Sequence, residues 1–320
     1  MSIGVLALVR LSPERLAALT GAGYAVREGS TYPSRTDAIR DAGDSVRAVL
    51  TNGRGGLSSA EMDLLPKLEL VCAVGAGYEA IDLDKARARG IAVANSPDTN
   101  APAVADSAMM LLMAATRHLL QADRFVRAGG WQDQWRVPTP TISGKRLGIL
   151  GMGTIGRRIA YRASRGFDME VGYHNRSVMS ESRHRYFASL VDLAAWADFL
   201  VSAAPGGAAT RHLINAEVLT ALGPKGYVVN VGRGTVVDTE ALIDALRSKR
   251  IAGAGLDVLE GEPGMPPKLP ELLQFDNVVI TPHVSGRAPE SQTAATAMIL
   301  ANLDAHFAGK PLRSPVLPKA

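Results

Sequence analysis

The chain has 320 residues, 47% of them hydrophobic and 21% charged, with a formal net charge of +4. That balance suits a globular protein with room for two hydrophobic cores, and it excludes disorder as the default state. The basic residues are spread along the chain, so Arg183-His184-Arg185 reads as a solvated loop or helix face rather than a nucleic-acid patch. No apolar run is long enough to span a bilayer. Residues 1–10 carry no basic leader and read as a first strand. The single cysteine, Cys72, lies in an apolar strand and reads as a buried small hydrophobe, consistent with a reducing cytoplasm.

Taken in order, residues 1–98 alternate between two patterns. Apolar runs at 3–9, 24–27, 46–51, 68–74 and 91–94 predict strands. Helical patterns lie between them, for example at 13–20 and 58–65, with Ser12 and Ser58 placed as N-caps. This alternation implies a parallel sheet covered by helices, and ligands of such sheets bind beyond the carboxyl ends of the strands. Two glycine-rich segments fall at those ends: Asn52-Gly53-Arg54-Gly55-Gly56 and Val74-Gly75-Ala76-Gly77-Tyr78. Backbone N–H groups in such loops can hold a small carboxylate, though glycine also marks ordinary turns. Ser96-Pro97-Asp98 then punctuates the chain as a hinge. From 100 to about 128 nearly every residue is a helix former and most faces are apolar, which predicts a helix that is buried or packed against a partner chain. Its methionines read as core filler. Residues 129–140 are loop-like and contain Trp131 and Trp135.

Residues 147–160 form the centre of the second half. The apolar run 147–150 predicts a buried strand, followed by Gly151, Gly153 and Gly156 at G-x-G-x-x-G spacing and a helix over about 155–165. Each glycine has a separate physical task. Gly151 allows the tight turn, Gly153 lets a pyrophosphate approach the backbone, and Gly156 lets helix and strand pack closely. The first N–H groups of the helix, around Thr154 and Ile155, then face the phosphates. A second strand, 169–173, follows at the βαβ distance, so the motif predicts a dinucleotide fold. Its end reads His174-Asn175-Arg176-Ser177, with no Asp or Glu to accept from the ribose 2′-hydroxyl of NAD. Asn175 can hydrogen-bond without repelling a phosphate, Arg176 offers a planar charged fork, and Ser177 adds a hydroxyl. The loop favours NADP, with NAD as the second candidate.

Further strand–helix units follow, and their ends carry polar groups. The strand over 198–204 runs through Ala204 into Pro205-Gly206-Gly207, where a cofactor can lie over the strand end. The strand over 226–231 ends at Val231 and runs into Gly232-Arg233-Gly234; Asp238 is placed as the N-cap of a helix over 238–248. The strand over 251–255 leads to Asp257 and Glu262, and the strand over 278–281 leads to His283, Ser285 and Gly286. A last helix, about 289–306, is expected to pack back onto the first domain. In a parallel sheet, Arg233, Glu262 and His283 all stand at one edge, where they can converge on one cleft. The other five histidines read as structural.

Four ordered motifs carry a family resemblance: Gly151-Met-Gly153-Thr-Ile-Gly156, Asn230-Val-Gly-Arg233-Gly234, residues 256–263 (Leu-Asp-Val-Leu-Glu-Gly-Glu-Pro) and Thr281-Pro282-His283. With residues 74–77 and Ile81-Asp82 they resemble the D-isomer-specific 2-hydroxyacid dehydrogenases over essentially the whole chain. Asn175-Arg176-Ser177 resembles the NADPH-dependent glyoxylate/hydroxypyruvate reductase branch. The resemblance implies an α/β fold with two Rossmann-like or flavodoxin-like domains and the active site in the cleft between them. The substrate-binding domain would be 1–98 plus 286–320, and the dinucleotide-binding domain 99–285. It implies reduction of a small 2-keto acid to the D-2-hydroxy acid. Arg233 would clamp the substrate carboxylate, and His283 would protonate the carbonyl oxygen as hydride arrives. Glu262 would hold and orient the imidazole. Asp257 would hold the nicotinamide amide, while Ala204, Pro205, Val231, Gly232, His283, Ser285 and Gly286 would line the cofactor. Arg54, Val74, Gly75, Ala76 and Gly77 would complete the substrate site, with Trp135 reaching across a homodimer interface. No metal, nucleic acid or membrane is implied. Two alternatives share the scaffold: a non-catalytic dinucleotide-sensing protein, and an NAD-linked dehydrogenase of another acid such as D-3-phosphoglycerate.

Overall fold

The structure, a computed structural model, describes residues 2–133 and 135–316. The chain divides into two compact units, Met1–Asn100 with Arg287–Ala320, and Ala101–Gly286. Each unit is a parallel sheet covered by helices, as the alternating sequence pattern requires.

In the first unit the strands are β1 (Ile3–Ala7), β2 (Tyr24–Glu28), β3 (Ala48–Thr51), β4 (Leu70–Ala73) and β5 (Ala92–Ala94). They pair in the order β2-β1-β3-β4-β5, all parallel, with Val5 beside Ala48 and Leu50 beside Cys72. Helices α1 (Pro13–Gly21), α2 (Arg35–Ala42), α3 (Ser59–Asp63) and α4 (Leu83–Ala88) start on Ser12, Ser34, Ser58 and Asp82. Each cap's side-chain oxygen accepts from a backbone N–H three residues on, satisfying a donor the helix leaves free. Ser58 and Glu61 add the reciprocal bond of a capping box. Cys72 is fully enclosed in β4, and burial pushes its thiol up to about 12.

The second unit begins with α5 (Ala101–Thr116) and α6 (Leu119–Arg127). One continuous helix over 100–128 was expected from composition. The chain instead breaks at His118, whose φ of 50° is left-handed. The two halves differ in kind. α5 buries Val104, Ala105, Ala108, Leu111 and Leu112 in the core, whereas α6 buries no residue. Met109 is core filler as read, but Met110 is 48% exposed. Helix propensity cannot locate such a break, because each side of it favours helix equally.

The sheet of this unit is built from β6 (Arg146–Leu150), β7 (Glu170–His174), β8 (Arg185–Tyr186), β9 (Phe199–Ser202), β10 (Tyr227–Asn230), β11 (Gly253–Leu256) and β12 (Val278–Ile280). Their order is β12-β11-β10-β9-β6-β7-β8. Strand direction of growth therefore reverses beside β6, which is where ligands of doubly wound sheets bind. The connecting helices are α7 (Thr154–Gly166), α8 (Leu190–Trp196), α9 (Ala216–Leu222), α10 (Thr239–Arg247) and the short α11 (Leu269–Leu272). Arg185 is not in a loop or helix face, as its sequence context suggested. It lies in edge strand β8, with its guanidinium 4.5 Å from the Phe187 ring centroid.

The chain then returns to the first unit as α12 (Pro289–Phe307). Ile299 and Leu303 enter the same core as Val5, Leu50 and Cys72. Arg15 Nε donates to Thr296 Oγ1 at 2.9 Å, and the Tyr24 hydroxyl donates to Asp304 at 2.6 Å. Among the described residues no helix is long and apolar enough to cross a membrane.

Candidate active site

The glycine loop leaves β6 at the switch point. Gly151 has φ +94°, a conformation that side chains rarely adopt, and its N–H donates to the His174 carbonyl at the end of β7. A Cβ on Gly156 would overlap the Gly151 carbonyl oxygen, so the first turn of α7 approaches β6 only because this residue is glycine. Gly153 is the N-cap of α7 and has no side chain with which to cap it. A Cβ there would meet nothing within 4 Å. The helix N-terminus thus opens onto free space, which suits an anionic group. A second observation fits a bound cofactor: among the described residues the Ser285 and Ser202 hydroxyls, like Gln121 Oε1 of α6, are buried without a hydrogen-bond partner.

At the end of β7 the Asn175 side chain does a task that sequence reasoning did not assign. Its Oδ1 accepts from the Met152 N–H at 2.8 Å, tying the post-β7 loop to the glycine loop. Arg176 and Ser177 follow it, both exposed.

Arg233, Glu262 and His283 follow β10, β11 and β12, three adjacent strands whose carboxyl ends share one edge of the sheet. His283 Nδ1 lies 2.5 Å from Glu262 Oε2. An ionised carboxylate only accepts, so Nδ1–H is the donor in this pair and Nε2 is left for other partners. His283 has a left-handed φ of 54°, a costly conformation for a side chain with a Cβ. The turn that imposes it is held from below. Asp257, 2% exposed, accepts from the Thr281 hydroxyl at 2.6 Å, Val284 N at 2.9 Å and Ser285 N at 3.1 Å. Its carbonyl accepts from His283 N at 2.8 Å. The Thr281 hydroxyl, to which the sequence assigns no role, is a strut of this turn. Arg233 is half-buried, with its aliphatic stem over Gly206 and Nη1 donating to the Gly232 carbonyl at 3.0 Å.

In the first unit, Asn52 Oδ1 accepts from Arg54 N and Gly55 N at 3.0 and 2.7 Å, shaping the turn that presents the exposed Arg54. The loop from Val74 to Gly77 is held through its carbonyls: Gly75 O accepts from Ser96 N, and Ala76 O from Asn95 Nδ2. Trp135, 38% exposed, packs edge-on against Phe125 of α6 with ring centroids 5.5 Å apart.

The chain belongs to the D-isomer-specific 2-hydroxyacid dehydrogenase family, whose NAD-binding-domain model matches residues 109–285. Its relatives include hydroxyphenylpyruvate reductase of Plectranthus scutellarioides, 42% identical over 287 residues and 90% of each chain. Glyoxylate/hydroxypyruvate reductase A of Arabidopsis thaliana is 40% identical over the same shares. Among solved structures, an NADPH-dependent glyoxylate/hydroxypyruvate reductase from Sinorhizobium meliloti, in complex with NADP and malonate, superposes with a TM-score of 0.85. That protein is 34% identical, and the match covers 99% of this chain and 97% of that one. The family is one of NAD(P)-dependent oxidoreductases acting on 2-keto and 2-hydroxy acids, and the residues around Gly153 and Ser285 fit such a cofactor.

Gly156→Ala is expected to force the α7 N-terminus away from Gly151. The cost should be about 1–3 kcal/mol of stability, as for overpacking, with a larger proportional loss in dinucleotide affinity. Thermal unfolding with and without NADPH checks it; an unchanged cofactor-induced rise in Tm would refute the close-approach role.

Proposed function

We propose that the protein reduces a small 2-keto acid of the glyoxylate or hydroxypyruvate type to the D-2-hydroxy acid, using NADPH in preference to NADH, with His283 as the general acid. The observation that carries this reading is the His283–Glu262 pair at 2.5 Å, presented at a strand end by a turn that Asp257 locks. When bound, the reduced nicotinamide supplies the hydride. The protein's own residues do the rest. Arg233 offers a planar fork to the substrate carboxylate and so orients the carbonyl. His283 acts as imidazolium: its Nε2–H gives its proton to the carbonyl oxygen, the ring is left neutral with Nδ1–H still donating to Glu262, and Glu262 keeps the ring aimed throughout. Backbone N–H groups of residues 74–77, with Arg54, are the proposed further partners of the carboxylate.

The cofactor would be held by the Gly151–Gly156 loop and the first N–H groups of α7 at Thr154 and Ile155. Ala204, Pro205, Val231, Gly232 and Gly286 would line it. The orphaned Ser285 hydroxyl would find a partner there, and Asp257 Oδ2 keeps a lone pair for the carboxamide. NADPH preference rests on the absence of a carboxylate over 175–177. Arg176 and Ser177 lie exposed beside an Asn175 already committed to Met152. The relatives' names support reduction of a 2-keto acid; that of the glyoxylate/hydroxypyruvate reductase favours the small acids, whereas that of the hydroxyphenylpyruvate reductase points to an aryl pyruvate. We also propose a homodimer through the second unit, where Met110, Leu119, Val126, Trp131 and Tyr161 stand exposed. Trp135 is proposed to serve the partner's site.

The test is nicotinamide oxidation with NADPH and NADH separately, against glyoxylate, hydroxypyruvate and an aryl pyruvate. NADPH with the small acids should be fastest. Turnover confined to the aryl pyruvate would move the substrate assignment, and tight cofactor binding with no turnover would identify a sensing protein instead. Arg176→Ala should raise the NADPH KM by about tenfold, the loss of one charge-assisted hydrogen bond, and leave the NADH KM within a factor of two; equal effects would remove the phosphate contact. His283→Ala should lower kcat by about 10²–10⁴, the usual contribution of a general acid, with cofactor affinity retained. Light scattering should give the mass of two chains, and a monomer mass would sink the dimer.

A further inference from the structure

The route by which Glu262 is held has a weak point. Leu259 N donates to Glu262 Oε1 at 2.8 Å, while the other oxygen accepts from His283. The aim of the Glu262 carboxylate is therefore set by the backbone at Leu259, in a segment after β11 that has no ladder or helix of its own. This backbone packs closely on Gly234 and Leu259 packs on the core, and the next side chain adds the polar tie. Glu260 Oε2 accepts from the Thr239 hydroxyl at 2.9 Å and from Thr239 N at 3.3 Å. Glu260 Oε1 accepts from His212 Nε2 at 2.7 Å, with Arg211 Nη1 at 3.5 Å.

We infer that Glu260 is a positioning residue for the Glu262–His283 pair, tying the 259–262 segment to the N-terminus of α10 and to His212. The inference rests on the reading of His283 as the acid. Thr239 is the first residue of α10, so the carboxylate sits where the helix leaves N–H groups free and the dipole favours negative charge. His212 is itself anchored: its N–H donates to the Thr235 carbonyl at 2.8 Å, and its Nδ1 is 3.8 Å from Asp238, the N-cap of the same helix. Glu240 and Lys268 are the other charged groups lining this cleft. Burial raises the Glu260 carboxyl, but the donors from His212 and Thr239 outweigh it and hold it below the usual range. Arg211 is largely exposed and adds little. The geometry sets this carboxylate apart from a surface ion pair. It has three hydrogen-bond donors from two chain segments, and the backbone it fixes is two residues from the group that orients the acid.

The test is steady-state kinetics of the full-length Glu260→Ala and Glu260→Gln proteins with NADPH and the best keto acid, across pH, beside His283→Ala. Glu260→Ala should lower kcat about tenfold, as expected of a misplaced catalytic group. The NADPH KM should hold within twofold, and the alkaline limb of the kcat profile should move to lower pH. Glu260→Gln keeps an acceptor for Thr239 and an amide for His212, so it should recover most of the rate and the limb. Wild-type kcat and pH profile in Glu260→Ala, with only a lower Tm, would overturn the inference, and so would equal losses in both Glu260 variants. Should Glu260→Ala fail to fold, Thr239→Val carries the same expectation at about threefold, a fraction of the effect because one hydrogen-bond donor of three is removed. Retained turnover in His283→Ala would instead overturn the reading of the acid, so the two failures are distinct.

Discussion

The buried carboxylate of Asp257 is the constraint on which the rest of the site depends. A carboxylate at 2% exposure needs hydrogen-bond donors, and three from a single turn, Thr281 to Ser285, supply them. A turn closed on one carboxylate in this way has little freedom left. It can therefore hold His283 in the left-handed region that a histidine in solution avoids. With the backbone fixed there, the imidazole reaches Glu262 at 2.5 Å. Orientation of the proposed acid is thus a property of hydrogen bonds within the chain, centred on Asp257.

The same economy recurs at the glycine loop. Gly151 and Gly156 create a close crossing of α7 on β6, and Asn175 then fastens the loop from the side through Met152 N. Neither contact needs a cofactor to form. The free end of α7 and the orphaned Ser285 hydroxyl are among the groups left unsatisfied once the scaffold has closed, and they are where the proposed dinucleotide would bind. The polar residues divide accordingly. Asp257, Asn175 and Glu260 bind other parts of the chain, while Arg176 and Ser177 are left exposed.

Much of this was legible from residues alone. The alternation of apolar runs and helical patterns gave both sheets, because a parallel strand is buried on both faces and reads as a continuous run. The N-caps at Ser12, Ser58 and Asp238 were readable because capping depends on one side chain and its next few neighbours. The helix break at His118 was not readable, since it is a backbone conformation between two segments of equal propensity. Nor was the strand placement of Arg185, whose two-residue strand forms only because β7 offers an edge. Glu260 and Thr281 stood inside recognised motifs, but their partners Thr239, His212 and Asp257 are 21, 48 and 24 residues away.

The sequence by itself determined the two α/β units, the glycine loop and the strand-end positions of Arg233, Glu262 and His283, since each follows from local spacing or from position at a strand end. Only the tertiary structure decided how those groups are aimed. The Asp257 turn, the Asn175 tie and the Glu260 anchor are contacts between segments far apart in the chain. Hydrogen bonds of 2.6–3.1 Å between such segments exist only once the sheet has brought its strand ends together.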